Sequence, residues 1–98
     1  MNIIISRIAK DEFESAKEFY ELEISGLGKK FQQEIKQALL RIQQFPHACP
    51  FERDEVRRYI LLKFPFKILF SIQNDSIIVL AFAHQHRHPE YWIDRLRT

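Results

Sequence analysis

The chain has 98 residues, enough for one hydrophobic core and too few for two, so residues 1–98 are expected to form a single domain. Apolar residues make up 46% and include nine phenylalanines, which excludes a disordered chain, and no apolar run approaches the ~20 residues of a membrane-spanning helix. A net charge of +2 excludes a surface coated with positive charge for non-specific nucleic-acid binding.

Met1 to Ser6 is apolar but lacks a basic start and runs into Arg7, Lys10 and Asp11, so it reads as a first strand, roughly Ile3–Arg7, rather than a signal peptide. Phe13, Ala16, Tyr20 and Ile24 then recur every three or four residues, one apolar stripe of a helix. Asp11, Glu12 and Glu14 are expected in its first turn, where carboxylates favour the positive end of the helix dipole. Ser25-Gly26 breaks this helix. A second stripe follows at Leu27, Phe31, Ile35, Ala38, Leu39, Ile42 and Phe45, and Pro46 stops it because proline cannot continue the hydrogen-bond ladder. The tight join predicts an antiparallel αα-hairpin.

His47 to Asp54 reads as loop. Strands are expected at Val56–Phe64, Phe66–Gln73 and Ile77–His84, with a tight turn at Asn74-Asp75; connections this short allow only an antiparallel meander. Phe66, Ile68, Phe70 and Ile72 form a fully apolar row that should pack on the helices. The other row, joined to Arg57, Tyr59 and Lys63 of the preceding strand, is expected to leave an open basic face bearing Arg57, Lys63 and Lys67. The single cysteine, Cys49, cannot form an internal disulfide, which suits a cytoplasmic location.

The last segment, from His84 to Thr98, holds His84, His86, His88, Arg87, Arg95, Arg97 and the pair Tyr91-Trp92. A cationic, aromatic cluster leaving a core strand suits anion or nucleic-acid chemistry; equally, it suits a short terminal helix, started by Pro89, whose aromatics cap the core. The alternating histidines could share one side, as zinc, copper or nickel would require. Pro89 follows at once, however, and no carboxylate or cysteine is placed to complete a shell, so neither metal nor cofactor is expected.

The order His84-x-x-Arg87-x-Pro89-x-x-Trp92-x-x-Arg95 resembles the C-terminal signature of the RelE/ParE superfamily of bacterial toxins, closer to the ParE-like "plasmid stabilisation" branch than to the ribosome-dependent RelE nucleases. Arg57-Arg58-Tyr59 followed by Phe64-Pro65-Phe66-Lys67-Ile68-Leu69-Phe70 is similar to the family's double strand, and Phe45-Pro46 to the close of its second helix. The resemblance covers nearly the whole chain. It implies an α+β fold of order β-α-α-β-β-β, with an αα-hairpin on one face of a mainly antiparallel sheet and a short C-terminal helix.

The resemblance also implies the toxin of a type II toxin–antitoxin pair. A cognate antitoxin would neutralise it by threading a helix or extended arm across apolar grooves and the basic face. In the ParE-like case the toxin inhibits growth by binding a target such as DNA gyrase, with no chemistry of its own; Arg57, Lys63, Lys67 and Arg95 are the candidate contacts. The alternatives are a ribosome-dependent mRNA endonuclease (an mRNA interferase) and a non-toxic relative that only binds its antitoxin. A nuclease needs a base, a cation on the phosphorane and an acid; His84 or His86 could serve as acid or base, Arg87 could hold the phosphate and Tyr91 or Trp92 could stack on a base, so His84, Arg87 and Tyr91 are the candidates. In the nucleases an arginine that contacts phosphate occupies the place of Lys67, which keeps the charge but loses the fork. Lys63 stands where the nucleases carry several lysines. These departures favour the ParE-like reading, without enzymatic activity.

Overall fold

The structure is a computed structural model that describes residues 1–97, with side chains through Leu96; the Arg97 side chain and Thr98 of the C-terminal cluster lie outside it. Strand β1 (Asn2–Ile5) leads into helices α1 (Arg7–Glu23) and α2 (Leu27–Gln44). A 3₁₀ turn (Pro46–Ala48) follows, then β2 (Phe51–Arg53), β3 (Val56–Ile60), β4 (Phe66–Gln73) and β5 (Ser76–His84), and a 3₁₀ helix spans Ile93–Arg97. The order in the five-stranded sheet is β1-β5-β4-β3-β2. Strands β2 to β5 are antiparallel neighbours, and β1 lies parallel to β5, a geometry that the intervening αα-hairpin makes possible as the long crossover.

Ser6 begins α1: its hydroxyl accepts the Ala9 N–H at 3.2 Å, which satisfies one of the unpaired donors of the first turn. The helix therefore starts earlier than the acidic cluster suggests. Asp11, Glu12 and Glu14 lie beyond its first turn, and Glu12 has another use. The hairpin turns at Gly26 (φ 88°), in the left-handed region that glycine enters without Cβ strain. With no side-chain cap on Gly26, Glu21 reaches across and accepts the N–H groups of Gly26 (2.8 Å) and Gly28 (3.0 Å), a carboxylate at a helix N-terminus. Pro46 ends α2 as expected. At the two ends of the predicted stripes, Ile24 (64% exposed) and Phe45 (67%) face solvent.

The main core lies between the hairpin and one sheet face. Phe31, Ile35, Ala38 and Ile42 of α2 and Ala9 and Ala16 of α1 meet Ile68, Phe70, Ile77, Val79 and Phe82, with Phe13, Tyr20, Phe64 and Phe66 packed around them. The apolar row of β4 thus faces the helices, as its alternation indicates.

The faces of β3 are the reverse of the expectation. Arg57 pairs with Phe70 and Tyr59 with Ile68, so Arg57 and Tyr59 share the helix side, and Arg58 lies with Lys67 on the other. The strand ends at Ile60, and residues 61–65 turn, so parity counted from Phe64 back across that turn is wrong by one. The segment read as loop contains β2, joined to β3 through Asp54-Glu55, with Asp54 at φ 50°. Nor is the far face open. A second core of Val56, Leu69, Leu80, Ala81 and Ala83 is covered by Trp92, with Tyr91, Ile93 and Leu96 beside it.

Gly28 marks the closest approach of the two helices. A Cβ there would sit 2.6 Å from the Lys17 carbonyl oxygen and 3.0 Å from the Glu21 side chain. Gly28→Ala is expected to force the helices apart and destabilise the fold by about 1–3 kcal/mol, read from urea denaturation, whereas the exposed Gln33→Ala should change it by less than about 0.5 kcal/mol.

Candidate functional site

The C-terminal segment is held against the sheet edge by one carboxylate. β5 carries a bulge: Phe70 pairs with Val79 and Leu69 with Ala81, leaving Leu80 between them. β1 follows β5 only as far as Val79, and the Ser6 N–H to the Val79 oxygen (3.1 Å) closes that pairing. Past this point the bulge turns the Leu80 carbonyl and the Phe82 N–H towards the outer edge. Side chains take the place of the missing strand. Glu12 Oε1 accepts the Phe82 N–H (3.1 Å), and the Arg95 guanidinium donates to the Leu80 oxygen (2.9 Å). Arg95 and Glu12 are bonded to each other by two contacts of 2.9 and 3.1 Å, the bidentate fork that suits this pair. Tyr91 adds its hydroxyl to Glu12 Oε2 at 2.6 Å.

Each member is tuned by its neighbours. Burial, and then the hydrogen bond to Glu12, holds the Tyr91 hydroxyl far above an ordinary phenol, so it stays protonated and donating. Burial opposes the charge on Arg95, but the Glu12 contacts outweigh it and Arg95 stays cationic. The Glu12 and Arg95 side chains are each only 16% exposed. Trp92 is buried on the far sheet face and donates its indole N–H to the Pro89 oxygen at 2.9 Å.

Of the candidates for nuclease chemistry, His84, Arg87 and Tyr91 do come together, lining a cleft of about 430 Å³ beside α1. Arg87 stacks over the Tyr91 ring at 4.0 Å and is otherwise exposed. His84 packs edge-on against Phe66, and its Nδ1 accepts the His86 N–H at 3.1 Å, which leaves Nε2 as the protonated nitrogen. Burial, and then the neighbouring His86, pushes the His84 pKa down. The carboxylates of Asp11 and Glu12 line the same cleft, a poor electrostatic setting for a phosphate. His88 Nδ1 accepts the Glu90 N–H, and among the described residues no three His, Cys, Asp or Glu side chains group as metal ligands.

The expected basic face is not formed. Arg57 donates to the His47 and Cys49 carbonyls (3.2 and 2.7 Å) and lies 4.0 Å over the Phe51 ring, clamping the start of β2. Lys67 is bonded to Glu52 at 2.5 Å, with Arg58 on the other oxygen of that carboxylate at 3.8 Å. Lys63 is exposed in the β3–β4 turn, and Arg95 is bound to Glu12. Arg53 pairs with Glu90 of the tail. Two carboxylates, Glu12 and Glu52, organise what sequence reasoning assigned to cations. Glu12 carried a readable signal: Ala9, Glu12 and Ala16 fall at i, i+3 and i+7, the spacing of a buried flank.

The comparisons agree with this architecture. The family described as "ParE toxin of type II toxin-antitoxin system, parDE" matches residues 3–89. The chain belongs to the ParE toxin family. No curated protein sequence matches it. A chain in the solved "Chromosomal ParDE TA system from P. aeruginosa" shares the fold, with a TM-score of 0.77 over 86% of this chain and 95% of that one, at 23% identity. No helix among the described residues is long and apolar enough to cross a membrane.

Removing the Glu12 carboxylate takes one acceptor from a guanidinium, a phenol and an amide. Glu12→Ala is expected to destabilise by about 3 kcal/mol, and Tyr91→Phe by about 1 kcal/mol. The Tyr91 contribution has a definite pH sign. Its pKa is raised on folding from an ordinary value of 10.0, so the stabilisation is fully present below pH 10 and is lost as pH climbs towards the folded value. In urea melts from pH 8 to 11, the stability gap between wild type and Tyr91→Phe should hold steady and then close above pH 10.

Proposed function

We propose that this ParE-family protein is a non-catalytic toxin: it arrests growth by binding a cytoplasmic protein target, of which DNA gyrase is the first to test, and a cognate antitoxin neutralises it. The observation that carries this reading is the commitment of the tail to internal bonds. Tyr91, the nuclease candidate for stacking on a base, is locked as a donor to Glu12, and Arg95 is bonded to Glu12 and Leu80. A nuclease needs such groups turned to the substrate. What the segment offers outward is a rim of His86, Arg87 and His88, all exposed, which suits recognition by shape and charge.

A second reading rests on the cleft itself. His84 and Arg87 both line it, and a neutral histidine beside a cation is a plausible pair for ribosome-dependent RNA cleavage. The two carboxylates at its wall weigh against a phosphate there. A silent relative that only binds its antitoxin is the third outcome.

Expression in a bacterial host separates the three. Growth arrest relieved by the cognate antitoxin is expected; normal growth at high soluble expression leaves the silent relative. Purified protein should inhibit supercoiling by gyrase, and Arg87→Ala should weaken that inhibition about tenfold or more with unchanged thermal stability. Site-specific, ribosome-dependent transcript cleavage by the wild type, lost in Arg87→Ala by ~10²–10³ in rate, would establish the nuclease instead.

A further inference from the structure

Strand β1 is one margin of the sheet, and its outer side meets no strand of this chain. On the β5 side the Ser6 N–H bonds the Val79 oxygen at 3.1 Å. By the alternation of a strand, the backbone groups of Ile4 also face β5, and the N–H and C=O of Ile3 and Ile5 point outward. Ile3 packs on the main core and Ile5 lines a crevice with Phe13 and Ile35, so Asn2 and Ile4 face the opposite side of the sheet. Both ends of this edge are closed. Gln43 of α2 donates its side-chain amide to the Met1 oxygen (2.7 Å), and Ser6 leads into α1 as its cap.

Between these closures stands Ile3-Ile4-Ile5, which has none of the devices that keep a sheet edge from pairing. It carries no lysine and no proline, and its register with β5 has no bulge; free edges ordinarily carry such guards. The strand at the other margin does: β2 is three residues long and holds Glu52 and Arg53. The flank of β1 is apolar as well. Ile4 is 51% exposed and Leu40 of α2 52%. Lys36, Leu40 and Gln43 form one row of that helix. Gln43 reaches Met1 and Lys36 borders the crevice at Ile5, which sets Leu40 beside the middle of β1.

We propose that the outer edge of β1 pairs with itself: two copies of this chain join there antiparallel, on a two-fold axis through Ile4, into one continuous sheet. The occupant follows from the symmetry of the segment. With the axis at Ile4, Ile3 of one copy faces Ile5 of the other, and each such pair exchanges both N–H···O bonds, so every outward group finds a partner. Ile4 meets Ile4 of the second copy as the non-hydrogen-bonded pair, where side chains are closest. On the helix side the same axis brings Leu40 towards Leu40 of the second copy and holds the two Lys36 apart. The closures at Met1 and Ser6 confine the pairing to this stretch, and an isologous contact ends as a dimer. One short strand and one helical row make a small interface, so dissociation at a roughly micromolar concentration is expected. The pairing holds whichever target the protein binds.

The test uses the purified full chain. It should sediment as a dimer at about 100 μM and dissociate on dilution, and amide exchange at Ile3 and Ile5 should be slowed by at least about tenfold in the concentrated protein. Ile4→Lys sets like charges against each other across the axis, and Leu40→Glu does so on the helix side. Each should raise the dissociation constant at least about tenfold, whereas Leu22→Lys, at an 80% exposed position near the hairpin turn, should leave it unchanged. A crosslink reads the axis directly. In a Cys49→Ser background, Ile4→Cys should form an intermolecular disulfide on mild oxidation, because the Cα atoms of such a pair, about 4.5 Å apart, lie within disulfide reach. Ile24→Cys, at the far end of the hairpin, should not.

A chain that stays monomeric up to about 1 mM, or a dimer in which Ile3 and Ile5 exchange at the monomer's rate, would overturn the proposal. Equal crosslinking of Ile4→Cys and Ile24→Cys, the mark of random collision, would do the same. Slowed exchange at Ile3 and Ile5 only when a different protein is bound would assign the edge to a foreign strand and equally overturn it. Exchange in the wild type and Leu40→Glu decide the matter even if Ile4→Lys fails to fold.

Discussion

Glu12 ties three parts of the chain together: helix α1, strand β5 and the C-terminal tail. Its position on α1 is fixed by Ala9 and Ala16, which bury the same flank in the main core. Its two oxygens then receive a backbone amide of β5, the hydroxyl of Tyr91 and the fork of Arg95. A lone carboxylate in so enclosed a place would be costly; surrounded by donors on both oxygens it becomes an anchor, provided every donor arrives. The bulge at Leu80 is what makes the anchor necessary. By reversing the edge past Val79 it exposes a carbonyl and an amide that β1 is too short to reach, and a carboxylate and a guanidinium are the complementary acceptor and donor. Helix, strand and tail are therefore ordered by one small network, and the second core under Trp92 depends on the tail it holds.

That dependence changes what the basic residues mean. The chain carries 15 Lys and Arg against 13 Asp and Glu, and several cations nearest the sheet are neutralised within the fold: Lys67 and Arg58 on Glu52, Arg53 on Glu90, Arg95 on Glu12. Arg57 spends its donors on two carbonyls. A conspicuous arginine in sequence is thus often a fastener, because the planar fork satisfies several acceptors at once. Exposed charges remain on the rim of the tail, at His86, Arg87 and His88, and on α2, at Lys29, Lys30 and Lys36.

Much of this was legible in the residues. The two helices, their Gly turn and Pro46 stop, the apolar row of β4 and the Asn74-Asp75 turn all follow from local patterns, and Asn74 does adopt φ 57°. These are features where neighbours in sequence decide. The errors fall where distant partners decide. β2 is three residues long and exists only because β3 pairs with it, so no periodicity announces it. The parity of β3 hinged on where the strand ends, and it ends at Ile60, four residues before Phe64. Glu12 looked like a dipole-stabilising acid because its partners Tyr91 and Arg95 lie 79 and 83 positions away, beyond any local window. Of the candidate site, His84, Arg87 and Tyr91 were found as a cluster, while the carboxylates that decide its chemistry were not.

The two places where β5 and β3 outrun their neighbouring strands show the same problem solved in two ways. At β5 the unpaired groups number two, and both are consumed by side chains that the fold can supply permanently, at the cost of immobilising Glu12 and Arg95. At β3 the chain does half as much. Glu34 takes the amides of Leu62 and Lys63, and its own second oxygen is buried with no hydrogen-bond partner among the described residues. Finishing that edge internally would have needed only a longer β2, and β2 stops after three residues. An edge that is capped at one end, apolar in its side chains and unfilled in the middle is stable enough to persist alone and gains on being covered, which is the physical condition for a surface that a partner can occupy and leave.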